Sequence, residues 1–145
     1  MNEQIISVGC HVSFSKTVSE SDIYLFAGIT GDLSPNHVNH EYMRKTSYGK
    51  RIAHGALLIG YMSTASSYLL QKYPGTDGEA TPVSLGYDRV RFVKPVFIND
   101  TITVNYTVEE CDSERNRSYS QVEVVNQHNE TVAVAKHILK WVANE

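Results

Sequence analysis

A chain of 145 residues and 16.3 kDa is long enough for one domain that buries a hydrophobic core without disulfides or a structural metal. Its formal net charge of -3 and pI near 6.1 argue against a general nucleic-acid-binding protein, because such a protein needs a basic surface to displace counterions. Hydrophobic residues make up 41% of the chain and charged residues 20%, which are values typical of globular proteins and exclude a disordered or fibrous chain. We therefore expect residues 1–145 to form a single domain.

The cysteines and the apolar segments predict a cytoplasmic protein that does not enter a membrane. Cys10 and Cys111 are the only cysteines and form no CxxC pair, so we expect reduced thiols rather than disulfides or a cysteine zinc site. Residues 1–5 lack the charged and apolar regions that begin a signal peptide. Residues 55–71 carry no charged side chain, but they are too few and too polar for a membrane span and predict a buried helix.

The N-terminal part of the chain predicts a strand, a helix and a loop. Residues 6–14 alternate between apolar side chains and polar or small ones, which is the period of a half-buried strand. Ser19 and Asp22 can supply the N-cap and a first-turn acid of a helix, and Gly31 can take the left-handed conformation that ends one. Residues 32–37 are therefore predicted to form a loop directly after this helix.

A long helix is predicted in the middle of the chain. Residues 39–49 are polar and predict one short helix that ends at Gly49. Residues 53–73 are almost all apolar or small, which favours a central helix enclosed on most sides. The strong helix breakers in residues 74–78 end it.

The second half of the chain predicts about four antiparallel strands. They cover residues 83–92, 101–108, 119–125 and 131–142. A bulge is expected near Asp88 and Arg89, where the apolar side chains change parity. An antiparallel sheet that follows one long buried helix must cover that helix, and a curled sheet does this best. The predicted fold class is α+β.

Asp32 and His37 form a candidate acid–base pair, five positions apart across Pro35. A carboxylate and an imidazole can exchange protons with a water and a substrate near neutral pH, and such a group commonly contributes about 10²- to 10⁴-fold in rate. Alternatively, Asp32 only caps the turn through its side chain, and His37 packs or lies at the surface. The spacing alone leaves both interpretations open.

Gly55 is a candidate donor at the start of the long helix. A glycine there exposes its backbone N–H to a ligand, and the helix dipole adds positive potential. Such an N–H can stabilise a carbonyl oxygen that becomes an enolate. Close packing of the glycine against a strand is an equally good explanation of this residue.

Three segments resemble the MaoC-like family of (R)-specific enoyl-CoA hydratases and dehydratases. FAGITGDLSPNH at residues 26–37 and RIAHGALL at residues 51–58 resemble its hydratase motif, and RFVKPVFIND at residues 91–100 resembles its F..PVF.GD segment. The resemblance implies a hot-dog fold, in which a curled antiparallel sheet surrounds the long helix, and a homodimer or higher homo-oligomer.

The family resemblance also implies roles for individual residues. Asp32 and His37 match the residues that activate a water for addition to a trans-2-enoyl thioester. Gly55 matches the glycine whose N–H binds the thioester oxygen, and Ser63 matches a serine that some members place near the catalytic pair. Ser63 is equally explained as a small residue for helix packing. No cofactor is implied beyond the thioester substrate itself.

Ser34 departs from the family pattern. The family usually has Asn between the aspartate and the proline, as D-x-N-P, whereas this chain has Ser34 before Pro35. A hydroxyl has a shorter reach than an amide and cannot donate and accept through separate atoms. The substitution therefore bears on the placement of water, the rate and the substrate preference.

Histidine spacing could also suggest a metal site. His37 and His40 form an HxxH pair with His54 nearby in sequence, but no carboxylate or cysteine pattern accompanies them. We predict no metal.

The resemblance implies a hydro-lyase that reversibly hydrates a trans-2-enoyl thioester, carried by CoA or an acyl carrier, to an (R)-3-hydroxyacyl thioester. The composition predicts no nucleic-acid or membrane partner. Two alternatives stay open. One is a hot-dog acyl-CoA thioesterase, and the other is a subunit that binds acyl thioesters with weakened or no catalysis.

Overall fold

The computed structural model describes residues 6–75 and 78–145. Its helices and strands in chain order are β1 (His11–Thr17), α1 (Glu20–Thr30), α2 (Pro35–Val38), α3 (His40–Met43), α4 (Gly55–Lys72), β2 (Ala80–Phe92), β3 (Thr101–Asp112), β4 (Arg117–Val125) and β5 (Thr131–Ala143). Residues 76–77, which belong to the predicted helix stop, lie outside the described part, as do residues 1–5.

The five strands form one antiparallel sheet in the order β1-β3-β4-β5-β2. Alternation is clearest in β3, where Ile102, Val104, Tyr106 and Val108 are buried and the residues between them are half-buried. The buried face supports the long helix. An antiparallel sheet with this helix on it confirms the predicted α+β class.

Helix α4 packs across β1 and β3 with one apolar stripe. Leu58, Met62, Ala65 and Leu69 recur at helical spacing and are buried in the core. Burying a Leu or Met side chain contributes about 1.5–3 kcal/mol, so this stripe anchors the helix. One side of α4, which includes Ser63, is exposed, and most of the remaining residues of the helix are buried or half-buried.

The predicted start and end of the first helix are confirmed. Ser19 accepts a hydrogen bond from the N–H of Asp22, and the Asp22 carboxylate accepts one from the N–H of Ser19, which forms a reciprocal capping box. Gly31 ends α1 with a φ of 81°, which is the left-handed conformation that glycine adopts without strain. The chain therefore leaves α1 in a defined direction at Asp32.

Three boundaries differ from the sequence prediction. Strand β1 begins at His11 rather than at residue 6, because Gly9 has a φ of 93° and the N–H of Cys10 donates to the carbonyl of Ser7, which makes a turn. The predicted loop at residues 32–37 contains the start of α2, since Pro35 occupies the first position of that helix. The predicted short helix in residues 39–49 is α3, which ends at Met43.

The predicted bulge in β2 is confirmed. The pairing of β2 with β5 shifts register between Asp88 and Arg91, and Arg89 has a φ of 53°. A second shift lies between Ser84 and Gly86.

No helix in residues 6–75 or 78–145 is long and apolar enough to cross a membrane.

Candidate active site

Asp32 lies in the short turn between α1 and α2. Its backbone N–H donates to the Thr30 hydroxyl at 3.2 Å, and its carboxylate Oδ1 accepts from the N–H of Ser34 at 3.3 Å. The side chain is exposed, and only one of its two oxygens receives a bond in this turn. Asp32 does cap the turn, but it also keeps a carboxylate oxygen for other contacts.

His37 is held in one tautomer by the chain that precedes α4. Its Nδ1 lies 2.8 Å from the carbonyl oxygen of Ile52, and the N–H of Ile52 in turn donates to the carbonyl of Asn36 at 3.0 Å. Because a carbonyl oxygen only accepts, Nδ1 carries a hydrogen, and in the neutral ring Nε2 has the lone pair. With a side chain that is 9% exposed, His37 therefore presents a nitrogen that can act as a base.

His54 is a functional candidate that the sequence suggested only as part of a metal site. It immediately precedes α4, is 2% exposed, and its ring stacks on that of His37 with centroids 3.7 Å apart. Its Nε2 lies 3.0 Å from the backbone carbonyl of Asp32 and donates to it, while its buried Nδ1 has no hydrogen-bond partner within the described ranges. The only sequence signal for this role is its place directly before Gly55.

Asp32, His37 and His54 form a three-residue cluster. One ring nitrogen from each histidine and one carboxylate oxygen of Asp32 all lie within 4.8 Å of one another. The structure thus supplies the carboxylate that the HxxH spacing lacked.

The separation of these atoms does not decide between a metal ion and a water. Bonds to zinc are about 2.0–2.2 Å long and zinc sites are tetrahedral, so two ligand atoms of one ion lie about 3.4 Å apart, which is within the 4.8 Å limit of the cluster. A metal bond lies in the plane of the imidazole, however, and the rings of His37 and His54 are stacked at 26°, so one would have to turn. The stacking of the two rings is therefore the feature of this cluster that argues against a metal ion.

A cavity of about 330 Å³ opens beside the cluster and is lined by His37 and Gly55. Its other walls are mainly apolar and come from the segment before α4, from α4 and from the segment after β2; they include Ile52, Leu58 and Val96. Small-molecule sites typically combine such apolar walls with a few polar groups. The arrangement suits an apolar ligand that places a reactive group at His37.

Gly55 packs closely against the aromatic ring of Phe92. A β-carbon built on Gly55 would lie 2.6 Å from the nearest ring atom, which is closer than real contacts allow. The packing alternative for Gly55 is therefore visible in the fold. Because the Phe92 side chain is 53% exposed and can turn, this packing does not remove the backbone N–H of Gly55 as a donor.

The two predicted serines occupy different places. Ser34 is the N-cap of α2, and its hydroxyl donates to the side chain of Asn36 at 3.4 Å, close to Asp32. Ser63 lies eight residues after Gly55 on α4, about 12 Å along the helix axis. It neighbours Tyr87 of β2, where burial raises the pKa of the tyrosine and the Ser63 hydroxyl partly opposes that rise. The hydrogen bonds found within the described ranges do not connect Ser63 to Asp32 or His37.

Comparison with known proteins identifies the family. Residues 5–132 match the sequence model of the MaoC like domain, so the chain belongs to the MaoC-like family. The structure is similar to that of an (R)-hydratase from Aeromonas caviae, with a TM-score of 0.81, 23% identity, and coverage of 95% of this chain and 98% of the other. This similarity confirms the predicted hot-dog fold.

Two curated relatives extend the comparison. An (R)-specific enoyl-CoA hydratase from Rhodospirillum rubrum is 43% identical over 103 residues, which is 71% of this chain and 66% of that protein. A 3-hydroxybutyryl-CoA dehydratase from Methylorubrum extorquens is 34% identical over 113 residues, which is 78% of this chain and 67% of the relative. The aligned part thus spans about two thirds of each relative's length.

Proposed function

We propose that this protein reversibly hydrates a trans-2-enoyl thioester, such as an enoyl-CoA, to an (R)-3-hydroxyacyl thioester. The observation that carries the proposal is the meeting of the Asp32 carboxylate with the ring nitrogens of His37 and His54 beside an apolar cavity. The names of the relatives, a hydratase and a dehydratase, support the same reaction in its two directions. The thioester serves as substrate, and the proposed reaction uses no cofactor or metal.

The chemistry assigns one task to each group. The oxygen of a water forms a bond to C3 of the enoyl group, the Asp32 and His37 pair takes one of its protons, and the pair delivers a proton to C2. During the addition, negative charge moves to the thioester oxygen, where the N–H of Gly55 at the start of α4 stabilises it. We assign Ser34 to positioning in this site, and Ser63 to substrate binding further along α4.

We also propose a homodimer in the cytoplasm. Strand β2 lies at the edge of the sheet, with Val83 and Leu85 exposed, and Tyr68 is exposed on the outer side of α4. An edge strand has unpaired backbone groups, and these apolar side chains would gain from being covered by a second copy. Light scattering on the purified protein measures the mass; a monomer would contradict this assembly.

The reaction is tested by a hydration screen of trans-2-enoyl-CoA substrates over chain length, with chiral analysis of the product. We expect loss of the enoyl absorbance and an (R)-3-hydroxy product, with the thioester intact. Release of free thiol from a saturated acyl-CoA would indicate a thioesterase instead. Binding of an acyl-CoA without turnover in either assay would indicate a binding subunit.

A further inference from the structure

The buried Nδ1 of His54 requires a partner from outside the described part of the chain. Its ring donates through Nε2 to the Asp32 carbonyl, so Nδ1 has a lone pair and is an acceptor. The ring lies between Phe26 and His37, which fixes its orientation. Buried acceptors in proteins are nearly always paired with water or a ligand when no protein group is in reach.

The size of the cluster suits one water. One ring nitrogen of His37, one of His54 and a carboxylate oxygen of Asp32 are at most 4.8 Å apart. An oxygen can lie about 2.8 Å from every corner of a triangle with that edge, which is the ordinary length of a hydrogen bond. The nitrogens that the backbone carbonyls leave available are Nε2 of His37 and Nδ1 of His54, and we assign these two atoms to the water.

The second hydrogen of the reacting water also needs an acceptor during the hydration reaction. Of the two hydrogens on the reacting water, one goes to the pair as the oxygen bonds to C3. The other stays on the oxygen and becomes the hydroxyl hydrogen of the product. The atom of the pair that takes the first proton cannot also accept this second hydrogen, which needs a separate acceptor beside the water.

We propose that Nδ1 of His54 accepts a hydrogen bond from this second hydrogen, which makes His54 a third catalytic residue. This inference rests on the proposed hydration. His54 takes no proton in the reaction. It orients the water for attack, and in the reverse direction it holds the hydroxyl group that leaves C3 of the (R)-3-hydroxyacyl thioester.

Two substitutions of His54 test the contributions of its two ring nitrogens separately. In His54→Gln the longer side chain can place its amide nitrogen near Nε2, so it can still donate to the Asp32 carbonyl, but it has no acceptor at Nδ1. In His54→Asn the shorter side chain places its amide near Nδ1 and loses the donor at Nε2. The pair therefore distinguishes a contact with water from support of the Asp32 backbone.

We expect His54→Gln to lower kcat for enoyl-CoA hydration about 10- to 100-fold with little change in KM, and His54→Asn to retain more of kcat. Circular dichroism and thermal unfolding establish that both variants are folded. If His54→Gln keeps the wild-type kcat, or falls no further than His54→Asn, the role of Nδ1 is wrong. Absence of turnover in the wild-type protein would instead contradict the proposed hydration itself.

A measurement on the wild-type protein tests the same inference without relying on a variant. Long-range ¹H–¹⁵N spectra of the histidine rings report which nitrogen carries the hydrogen. We expect His54 to carry it on Nε2 and His37 to carry it on Nδ1, as their bonds to backbone carbonyls require. A neutral His54 with its hydrogen on Nδ1 would overturn the proposal.

Discussion

Two histidine clusters in this fold make similar stacking and hydrogen-bond contacts but differ in whether a ring nitrogen stays without a partner among the described residues. In the first, His37 and His54 stack with centroids 3.7 Å apart, and each uses one nitrogen to donate to a backbone carbonyl. In the second, His137 of β5 stacks on Tyr87 at 4.2 Å, and both of its nitrogens are bonded to side chains, Tyr106 and Ser84, at 2.7 Å. A buried histidine is thus a candidate for chemistry only where a nitrogen is left over.

The difference follows from the elements that surround each cluster. His137 lies within the sheet, where Ser84 of the neighbouring strand β2 and Tyr106 of β3, two strands away, supply hydroxyl groups to its two nitrogens. His37 and His54 lie where two helices begin or end, and there the chain supplies a carbonyl group to each ring and a cavity beside His37. The surroundings of His137 stabilise a neutral ring, whereas those of His37 and His54 leave a ring nitrogen able to act on a ligand.

The largest effect should come from removing the carboxylate of the first cluster. Asp32→Asn keeps the shape of the side chain but cannot accept a proton, so we expect kcat for hydration to fall by about 10²- to 10⁴-fold. The matched variant in the second cluster is His137→Gln, which should keep kcat within about twofold of wild type because His137 has no nitrogen left for a substrate. Steady-state hydration assays on folded proteins compare the two. An unchanged rate in Asp32→Asn would refute the catalytic assignment.

Gly55→Ala separates packing from donation at the start of α4. We expect it to lower kcat about 10- to 100-fold, since the added methyl group obstructs approach to the N–H. The methyl would also displace the ring of Phe92, so Phe92→Ala and the double variant are the controls. If Gly55 acts as a donor, the double variant stays slow. Recovery of the wild-type rate in the double variant would show that the glycine is needed only for packing.

Local patterns predicted those features that depend on neighbouring residues. The capping box at Ser19, the left-handed Gly31 and the alternation of β3 all follow from short-range rules, and the structure confirms them. Asp32 and His37 could be paired from the sequence because only one turn separates them. Their predicted catalytic roles stay predictions.

The position of His54 beside His37 could not be predicted in the same way. Its contact with His37 depends on Ile52 and Ala53, which are hydrogen bonded to Asn36 on one side and to the Val96 segment on the other. Such a contact joins three distant parts of the chain and leaves no periodic signal. The turn at Gly9 escaped prediction for a related reason, because an apolar alternation alone does not reveal a left-handed backbone.

We expect the titration of His137 to have the smallest effect on catalysis. It should instead lower the free energy of unfolding as the pH falls. Burial lowers the pKa of this histidine to about 4, whereas in the unfolded chain its pKa is near 6.5. The unfolded state therefore binds a proton that the folded state excludes between these values. This contribution to the free energy of unfolding is complete above about pH 6.5 and is lost as the pH falls towards 4, amounting to about 2 kcal/mol at pH 5.

Urea unfolding at pH 7 and pH 5 measures this loss, with His137→Gln as the control that lacks the titrating ring. The carboxyl groups with lowered pKa values titrate below this window. Hydrogen bonds hold those values down, from Arg51 to Glu20, from the backbone of Arg115 to Asp112 and from Lys94 to Glu130. Wild type should therefore lose more stability than His137→Gln between the two pH values. Equal losses would mean that the folded protein accommodates a proton on His137. The proposed difference between His137, whose nitrogens are both bonded to side chains, and the His37 and His54 cluster would then be wrong.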